Sequence, residues 1–410
     1  MNGIHKAALI LVYAIYCIYV IRYTNQLVDP NRLDLKNRHY DPLAKHNPKL
    51  ASNSYLDTLY PPRDLEQIGK ENATMVMLVR NFEIDEALAS MRSLEDRFNR
   101  DYKYPWVFLN DVPFDQEFIE KTSLMASGKT YYELIPVDDW QPPDYINMTK
   151  LDENLLNSRA GILYGGMRSY RNMCHFNSGF FYKQKRMLDY DYYFRVEPGV
   201  EYMCDFQYDP FEFLRENNKI YGFIITIREY ANTIPTLWQT VEEFMQKYPF
   251  LLHTNNALNF ITTNESSLNH YVDLSPNPTQ YNLCHFWSNF EIGNLNFFRS
   301  EQYETFFQHL SRAGGFHYER WGDAPVHTIA LSLLADKDLI HHFEDIGYYH
   351  APFLSCPISE EIIASKRCVC QPRGEAVNRT IDVNAHSCLA RWWKYGAGRR
   401  FLNEVDYKRW

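Results

Sequence analysis

Thr74-Met-Val-Met-Leu-Val79 is the stretch on which the fold turns: a short apolar run that stops at Arg80 and reads as a buried strand. Beyond it Ile84, Leu88, Met91, Leu94 and Phe98 recur at helical spacing, and Trp106-Val-Phe-Leu109 resumes as a strand ending in Asn110-Asp111. Strand, helix and strand in that order form a βαβ unit, which implies parallel pairing and ligands beyond the carboxyl edge of the sheet. Neither G-x-G-x-x-G nor G-x-x-x-x-G-K-[ST] is present, so the dinucleotide and P-loop readings lapse.

Working outward, the sequence predicts further strands at 131–135, 190–196, 221–227 and 294–298, with helices near 237–248, 301–312 and 323–335. The helix beginning at Glu301 runs into Gly314-Gly315, a stop signal. This alternation predicts one α/β domain over 71–357 and a cysteine-containing extension over 358–410.

The chain has 410 residues, with 42 Lys+Arg against 51 Asp+Glu and a net charge of −9. Hydrophobic residues at 45% and charged ones at 23% exclude a wholly disordered chain and a polytopic membrane protein. The acidic balance argues against nonspecific nucleic-acid binding. Aromatic residues are in excess at 16%, through 31 Tyr, 26 Phe and 8 Trp. Their default use is core packing, and their second use is stacking on sugars or bases.

Ala7 to Ile21 carries no charge and is bracketed by Lys6 and Arg22. No small-x-small cleavage site follows, so it reads as a signal anchor over 7–23 behind a tail of 1–6, not as a cleaved leader. Positive charge on both flanks leaves its orientation open. Residues 24–70 are polar and proline-bearing and read as a stem. Sequons at Asn72, Asn147, Asn264 and Asn378 fit a lumenal chain, as do seven cysteines after the anchor, an odd number that leaves one thiol over. Cys368-Val-Cys370 lacks zinc-finger spacing, and a tail held by disulfides is expected instead.

The strand at 190–196 runs directly into Glu197-Pro-Gly-Val-Glu201, which puts carboxylates at the active edge of an α/β sheet. Such a loop is either a solvated turn or a seat for a divalent cation that neutralises a leaving diphosphate. Arg195, just before it, either grips a phosphate or balances a neighbouring carboxylate.

Tyr170-Arg-Asn-Met-Cys-His-Phe176, Ser178-Gly-Phe-Phe-Tyr182 and Tyr193-Phe-Arg-Val-Glu-Pro-Gly199 resemble the fungal GDP-mannose-dependent α-1,2-mannosyltransferases of glycosyltransferase family fifteen. Further words of the same family are Thr233-Ile-Pro-Thr-Leu-Trp238, Tyr281 to Gly293, Tyr318-Glu-Arg-Trp-Gly-Asp-Ala-Pro-Val-His327 and Asp345-Ile-Gly-Tyr-Tyr-His350. The match covers residues 70 to 357 and weakens beyond Cys368.

The resemblance implies a GT-A-like nucleotide-sugar transferase domain with a central mixed sheet, preceded by a single membrane anchor. It implies a type II Golgi protein whose lumenal domain extends O- or N-linked mannan from GDP-mannose onto a mannosylated glycoprotein or oligosaccharide. It assigns Mn²⁺ to Glu197 and His350, a donor set of carboxylate and imidazole suited to that ion. Glu291 is implied as the nucleophile or as a carboxylate steadying an oxocarbenium-like centre, with retention of configuration. Read by itself, Glu291 is a buried glutamate fixing Asn289 or a backbone amide, and His350 a structural histidine.

Tyr170 is implied as a site tyrosine. Asp323 either holds a sugar hydroxyl or only caps the helix it begins. Arg80 and Arg195 are the expected donor contacts, and with Mn²⁺ they must receive an anion that the overall charge repels. Glu229 and Trp287 are candidate acceptor contacts. Trp238, Trp287 and Trp321 are candidate sugar platforms, and Tyr170, Phe180, Phe181, Tyr192, Tyr193, Trp287 and Trp321 together are expected to wall a mannose cleft. Gly199 departs from the acidic or amide residue the family places after Glu-Pro, a change expected to alter the loop more than the ligation. The 261–280 insertion is polar and expected at the surface. Two rivals are mannosylphosphate transfer and an inactive mannan-binding subunit.

Overall fold

The computed structural model describes residues 71–262, 280–357, 359–370 and 386–398. The anchor at 7–23, the stem at 24–70, Asn264, Asn378 and most of the polar insertion lie outside them. The opening apolar run becomes β1 (Ala73–Leu78), buried almost throughout because it is flanked by strands on both edges and covered on both faces. Helix α1 (Ile84–Leu94) buries Ala87, Ser90, Met91 and Leu94, the stripe set by its spacing. The chain then enters β2 (Trp106–Asn110), which pairs parallel with β1 in the register Met75↔Trp106 to Leu78↔Leu109.

Helix α2 (Gln116–Met125) leads to β3 (Thr130–Leu134), parallel to β2 on its outer side. After helices α3 (Met148–Ser158) and α4 (Arg168–Gly179), β4 (Tyr192–Arg195) pairs with the opposite edge of β1, also in parallel. The carboxyl ends of β1 and β4 therefore lie side by side where the strand order reverses, the place at which open α/β sheets hold ligands.

The remaining strands are β5 (Glu201–Tyr202), β6 (Tyr221–Phe223), β7 (Thr226–Arg228), β8 (Cys284–Phe286), β9 (Glu291–Asn294), β10 (Ile340–His342), β11 (Tyr348–His350) and β12 (Phe353–Ser355). The main sheet has the order β10-β6-β9-β4-β1-β2-β3, with β9 antiparallel to both neighbours. This is the mixed sheet expected of the family. A separate sheet, β12-β11-β5, stands beside it, and β7 and β8 form a two-stranded sheet that Ser387 bridges at Ile227. Helices α5 (Leu237–Lys247), α6 (Glu301–Ala313), α7 (Asp323–Leu334) and α8 (Leu389–Tyr395) complete the frame.

Two predicted strands need correction. The one at 294–298 lies earlier, at β9: the Asn294 side chain accepts from the Asn296 amide and starts a helical turn, Leu295–Phe298. Leu295 and Phe298 are buried because they share one side of that turn, a spacing too short to distinguish from a strand by composition. The run at 221–227 is divided between two sheets. The Ile224 carbonyl accepts from His342 Nε2 at 2.9 Å and the Ile225 carbonyl from the Trp287 amide at 2.8 Å, which ends one ladder before β7 begins the next. Helix α4 is not apparent from an apolar run because its buried residues include Arg171, Asn172, His175, Asn177 and Ser178.

The C-terminal segment is tied back by disulfides Cys204–Cys368, Cys284–Cys388 and Cys356–Cys370. Cys174 is the thiol left over, and it is buried. Trp392 of α8 enters the core with its ring 5.4 Å from Phe223, 5.2 Å from Phe260 and 5.1 Å from Phe286.

Several histidines are buried in this core. Burial lowers His317 to about 4 and His341 to about 3, and holds His175 well below the usual value. Unfolded histidines take up protons below about pH 6.5 while these do not, so stability falls as pH drops from 6.5 towards 4, by about 1.4 kcal/mol per pH unit for each group. Asp209, raised to about 6 by burial, opposes this over the same window because its folded form keeps a proton that the unfolded carboxyl loses. His285 is lowered by burial as well, so four histidines stand against one carboxyl and the thermal midpoint should fall between pH 6.5 and 4; a flat profile would contradict burial of neutral imidazoles.

Candidate active site

The antiparallel pairing of β4 with β9 sets Arg195 directly opposite Glu291. Residues two apart on a strand share a face, so Tyr193 stands beside Arg195 over Glu291. Gly293 makes that arrangement possible, because a Cβ there would lie 2.9 Å from the Tyr193 ring. Helix α7 crosses this face and presents Asp323 and His327 one turn apart.

Arg195 is the hub. Its Nη1 reaches Asp323 Oδ2 at 2.5 Å and Glu291 Oε2 at 3.7 Å, and its Nη2 reaches Glu197 Oε1 at 2.5 Å. Of the two readings of Arg195, the structure gives the carboxylate partner and not an open phosphate grip. Burial opposes the arginine charge, but Asp323, Glu197 and Glu291 outweigh it and hold its pKa well above the ordinary value. Burial likewise opposes charge on Asp323, yet Arg195, His327 and Ser288 bring that carboxyl below its usual range. Ser288 Oγ donates to Asp323 at 2.8 Å. Asp323 is the first residue of α7 and makes no capping bond, so the helix-cap reading of it fails.

Glu291 is fully buried. Its Oε1 accepts from Tyr221 Oη at 2.9 Å and faces His327 Nδ1 at 2.7 Å, and its Oε2 accepts from Tyr193 Oη at 3.2 Å. The partners are side chains of three other elements, in place of the Asn289 or backbone amide expected of a purely structural glutamate.

Glu197 follows β4 in a loop that turns at Gly199, whose φ of +81° suits glycine and strains residues that carry a Cβ. His350 ends β11, so the second sheet delivers it to the same edge. Its Nδ1 lies 3.0 Å from the Ala351 carbonyl, which fixes the hydrogen there and leaves a lone pair on Nε2. Nε2 and Glu197 Oε2 are 3.7 Å apart, each side chain a little under one third exposed. An oxygen and an imidazole nitrogen at that separation, with the second ring nitrogen tied to a carbonyl, fit a shared divalent ion with positions open to solvent. Trp287 stands edge-on to His350, with ring centres 4.9 Å apart.

A second cluster adjoins the first. Arg320 donates to Tyr170 Oη and to Glu229, both at 3.2 Å, and Tyr170 stacks on Tyr164 with centroids 4.8 Å apart. Arg80, past the end of β1, lies with its guanidinium 5.8 Å from the Phe82 ring. Tyr170 and Glu229 are thus brought together with each other, and Arg80 is placed at the same sheet edge.

The aromatic cleft needs correction. Trp321, Tyr193, Phe181 and Trp238 are buried. The Trp321 indole donates to Glu319 at 2.6 Å and that of Trp238 to Glu242 at 2.9 Å, while Trp238 stacks on Tyr281. These rings are core, and Trp238 and Trp321 are not sugar platforms. The exposed tyrosines near the second cluster are Tyr164 and Tyr230, neither of which was singled out. His327, Tyr221, Ser288 and Arg320 were also missed; the i, i+4 spacing of Asp323 and His327 was the available signal. Of the sequons, Asn147 is exposed and caps α3, and Asn72 is exposed with its amide donating to the Asp189 carbonyl at 3.0 Å.

Residues 31–397 match the family described as glycolipid 2-α-mannosyltransferase. The chain is 53% identical over 376 residues to the probable mannosyltransferase YUR1 of Saccharomyces cerevisiae, covering 90% of this chain and 86% of the relative. It is 41% identical over 395 residues to the α-1,2 mannosyltransferase KTR1 of the same yeast, covering 95% and 93%. Among solved structures, core-mannan synthase A from Aspergillus fumigatus in its Mn/GDP form aligns with a TM-score of 0.74 at 40% identity, over 82% of this chain and 88% of that one.

Proposed function

The chain belongs to the glycolipid 2-α-mannosyltransferase family, and on that premise we propose that it moves mannose from GDP-mannose to the 2-hydroxyl of an α-mannoside acceptor. The observation that carries the assignment to this site is the pairing of Glu197 Oε2 with His350 Nε2, 3.7 Å apart at the carboxyl edge of the sheet. Mn²⁺, which accompanies GDP in the structure of core-mannan synthase A, supplies positive charge against the leaving diphosphate when bound.

The chain's own residues do the rest. Glu197 and His350 hold the ion, Arg195 keeps Glu197 and Asp323 aligned, and Arg80 faces the donor from the end of β1. Glu291 supplies negative charge beneath the anomeric centre as positive charge develops there. Glu229 and Trp287 are set to contact the acceptor, Tyr170 to touch the donor or the developing charge, and Asp323 to orient a sugar hydroxyl.

In the cell we place the protein in the Golgi membrane as a single-pass type II protein extending O- or N-linked mannan of the wall. The uncharged run at 7–21 and the lumenal sequons support that placement, as do relatives named for O-glycoside and mannan synthesis. Incubation with GDP-mannose, Mn²⁺ and α-methyl mannoside tests the reaction. A 2-linked α-mannobioside is expected. A mannosyl phosphodiester indicates phosphate transfer, and binding without turnover indicates a mannan-binding subunit.

A further inference from the structure

We propose that His327 is a positioning residue of the transfer site, holding a hydrogen between its Nδ1 and Glu291 so that the two side chains stand beneath the reacting sugar as a neutral pair. The role in transfer rests on the reading above; the shared hydrogen does not.

His327 Nε2 lies 3.0 Å from the Asn177 carbonyl oxygen, which can only accept, so this nitrogen carries a hydrogen. Nδ1 lies 2.7 Å from Glu291 Oε1. A neutral imidazole protonated on Nε2 turns a lone pair out from Nδ1, and two lone pairs do not face one another at that distance where both side chains are 1% exposed. A second hydrogen therefore lies in the contact. Rotating the ring by half a turn offers no escape, because it puts carbon against both oxygens.

The surroundings decide which atom owns that hydrogen. Tyr221 and Tyr193 donate to the two oxygens of Glu291, and Arg195 approaches Oε2 at 3.7 Å. Two hydroxyl donors together with a guanidinium cation 3.7 Å away favour a carboxylate over a carboxylic acid, so the hydrogen is placed on Nδ1. Phe181, Phe298 and Tyr303 pack around the ring with centroids 6.2, 5.0 and 6.2 Å away, and Asp323 stands one turn back on the same helix. Both side chains are cut off from bulk solvent, each being 1% exposed.

Two consequences follow for transfer. The pair adds no net charge to the edge that receives the donor diphosphate, while Glu291 keeps an anionic oxygen, Oε2, for the positive charge that develops on the sugar. Oε1 is also pinned by His327 and Tyr221, which leaves Oε2 as the oxygen turned towards Arg195 and the reacting edge. His327 touches neither donor nor acceptor; it acts through Glu291.

The test uses the whole protein with ¹⁵N-labelled histidine. The expected spectrum shows both nitrogens of His327 bearing hydrogen in the wild type, and Nδ1 losing it in Glu291→Gln, whose amide supplies its own hydrogen. A bare Nδ1 in the wild type overturns the proposal. In kinetics, His327→Asn should lower kcat about 10- to 100-fold, a usual cost of removing a group that orients another, with the GDP-mannose KM within about threefold. His327→Gln serves if the first variant does not fold. A wild-type kcat in the folded variant overturns the positioning role. Absence of mannosyl transfer by the wild type sinks the functional reading instead and leaves the spectroscopic result standing.

Discussion

Glu197→Ala is expected to lower Mn²⁺-dependent transfer by about 10³-fold or more, equivalent to ~4 kcal/mol of transition-state stabilisation. The carboxylate is one of the two groups that face each other across the ion seat, and His350 alone offers a single neutral nitrogen. Loss of the anionic ligand should appear as weaker Mn²⁺ binding, read by the signal of the free ion. The fold should survive, because Glu197 lies in a loop and is partly exposed. Glu197→Gln keeps the size and one oxygen but not the charge, so its activity should fall between the two. Wild-type turnover in Glu197→Ala would remove this loop from the metal site.

Arg195→Met should have the largest effect on stability. The guanidinium sits among Asp323, Glu197 and Glu291, and its side chain is 12% exposed. Removing one partner of a buried ionic group leaves uncompensated charge, which costs about 3–5 kcal/mol. The expected readouts are a lowered urea midpoint and no measurable transfer. Asp323→Asn added to Arg195→Met removes one of the stranded charges and should recover part of the stability without recovering transfer. Wild-type stability in Arg195→Met would mean that Arg195 is not the cation that holds these carboxylates together.

The sequence was most legible where period and motif agreed. Thr74–Val79, the helical spacing from Ile84 and Trp106–Leu109 became β1, α1 and β2 because an apolar run between helical stripes has few alternatives in an α/β protein. The main sheet was mixed, as the resemblance implied, because β9 returns antiparallel between β4 and β6. Less legible was any element whose buried face is polar: α4 packs Arg171, His175 and Asn177 inward, and its low apolar content hides the short spacing of Tyr170, Met173 and Cys174. The split at Ile224–Ile225 was invisible because a continuous apolar run does not show where a chain changes sheets.

The site divided in the same way. Glu197, Arg195, Glu291, Asp323 and His350 stood in recognisable words and converge at one edge. Their partners were not legible as such: Tyr193 was expected in a cleft wall, and Tyr193, Tyr221 and His327 become partners of Glu291 only when β4, β6 and α7 meet over it. The aromatic excess misled for a related reason. Buried rings such as Trp321 and Tyr193 fill a large core, and composition does not separate that use from a sugar wall.

The most direct test of the central claim is the initial rate of mannose transfer from GDP-mannose to α-methyl mannoside, measured across a Mn²⁺ titration for the wild type and for His350→Ala. The account predicts that chelation abolishes wild-type transfer. It also predicts that His350→Ala needs a much higher Mn²⁺ concentration for the same rate. Equal rates in the two proteins at every Mn²⁺ concentration, or wild-type transfer that persists after chelation, would contradict it.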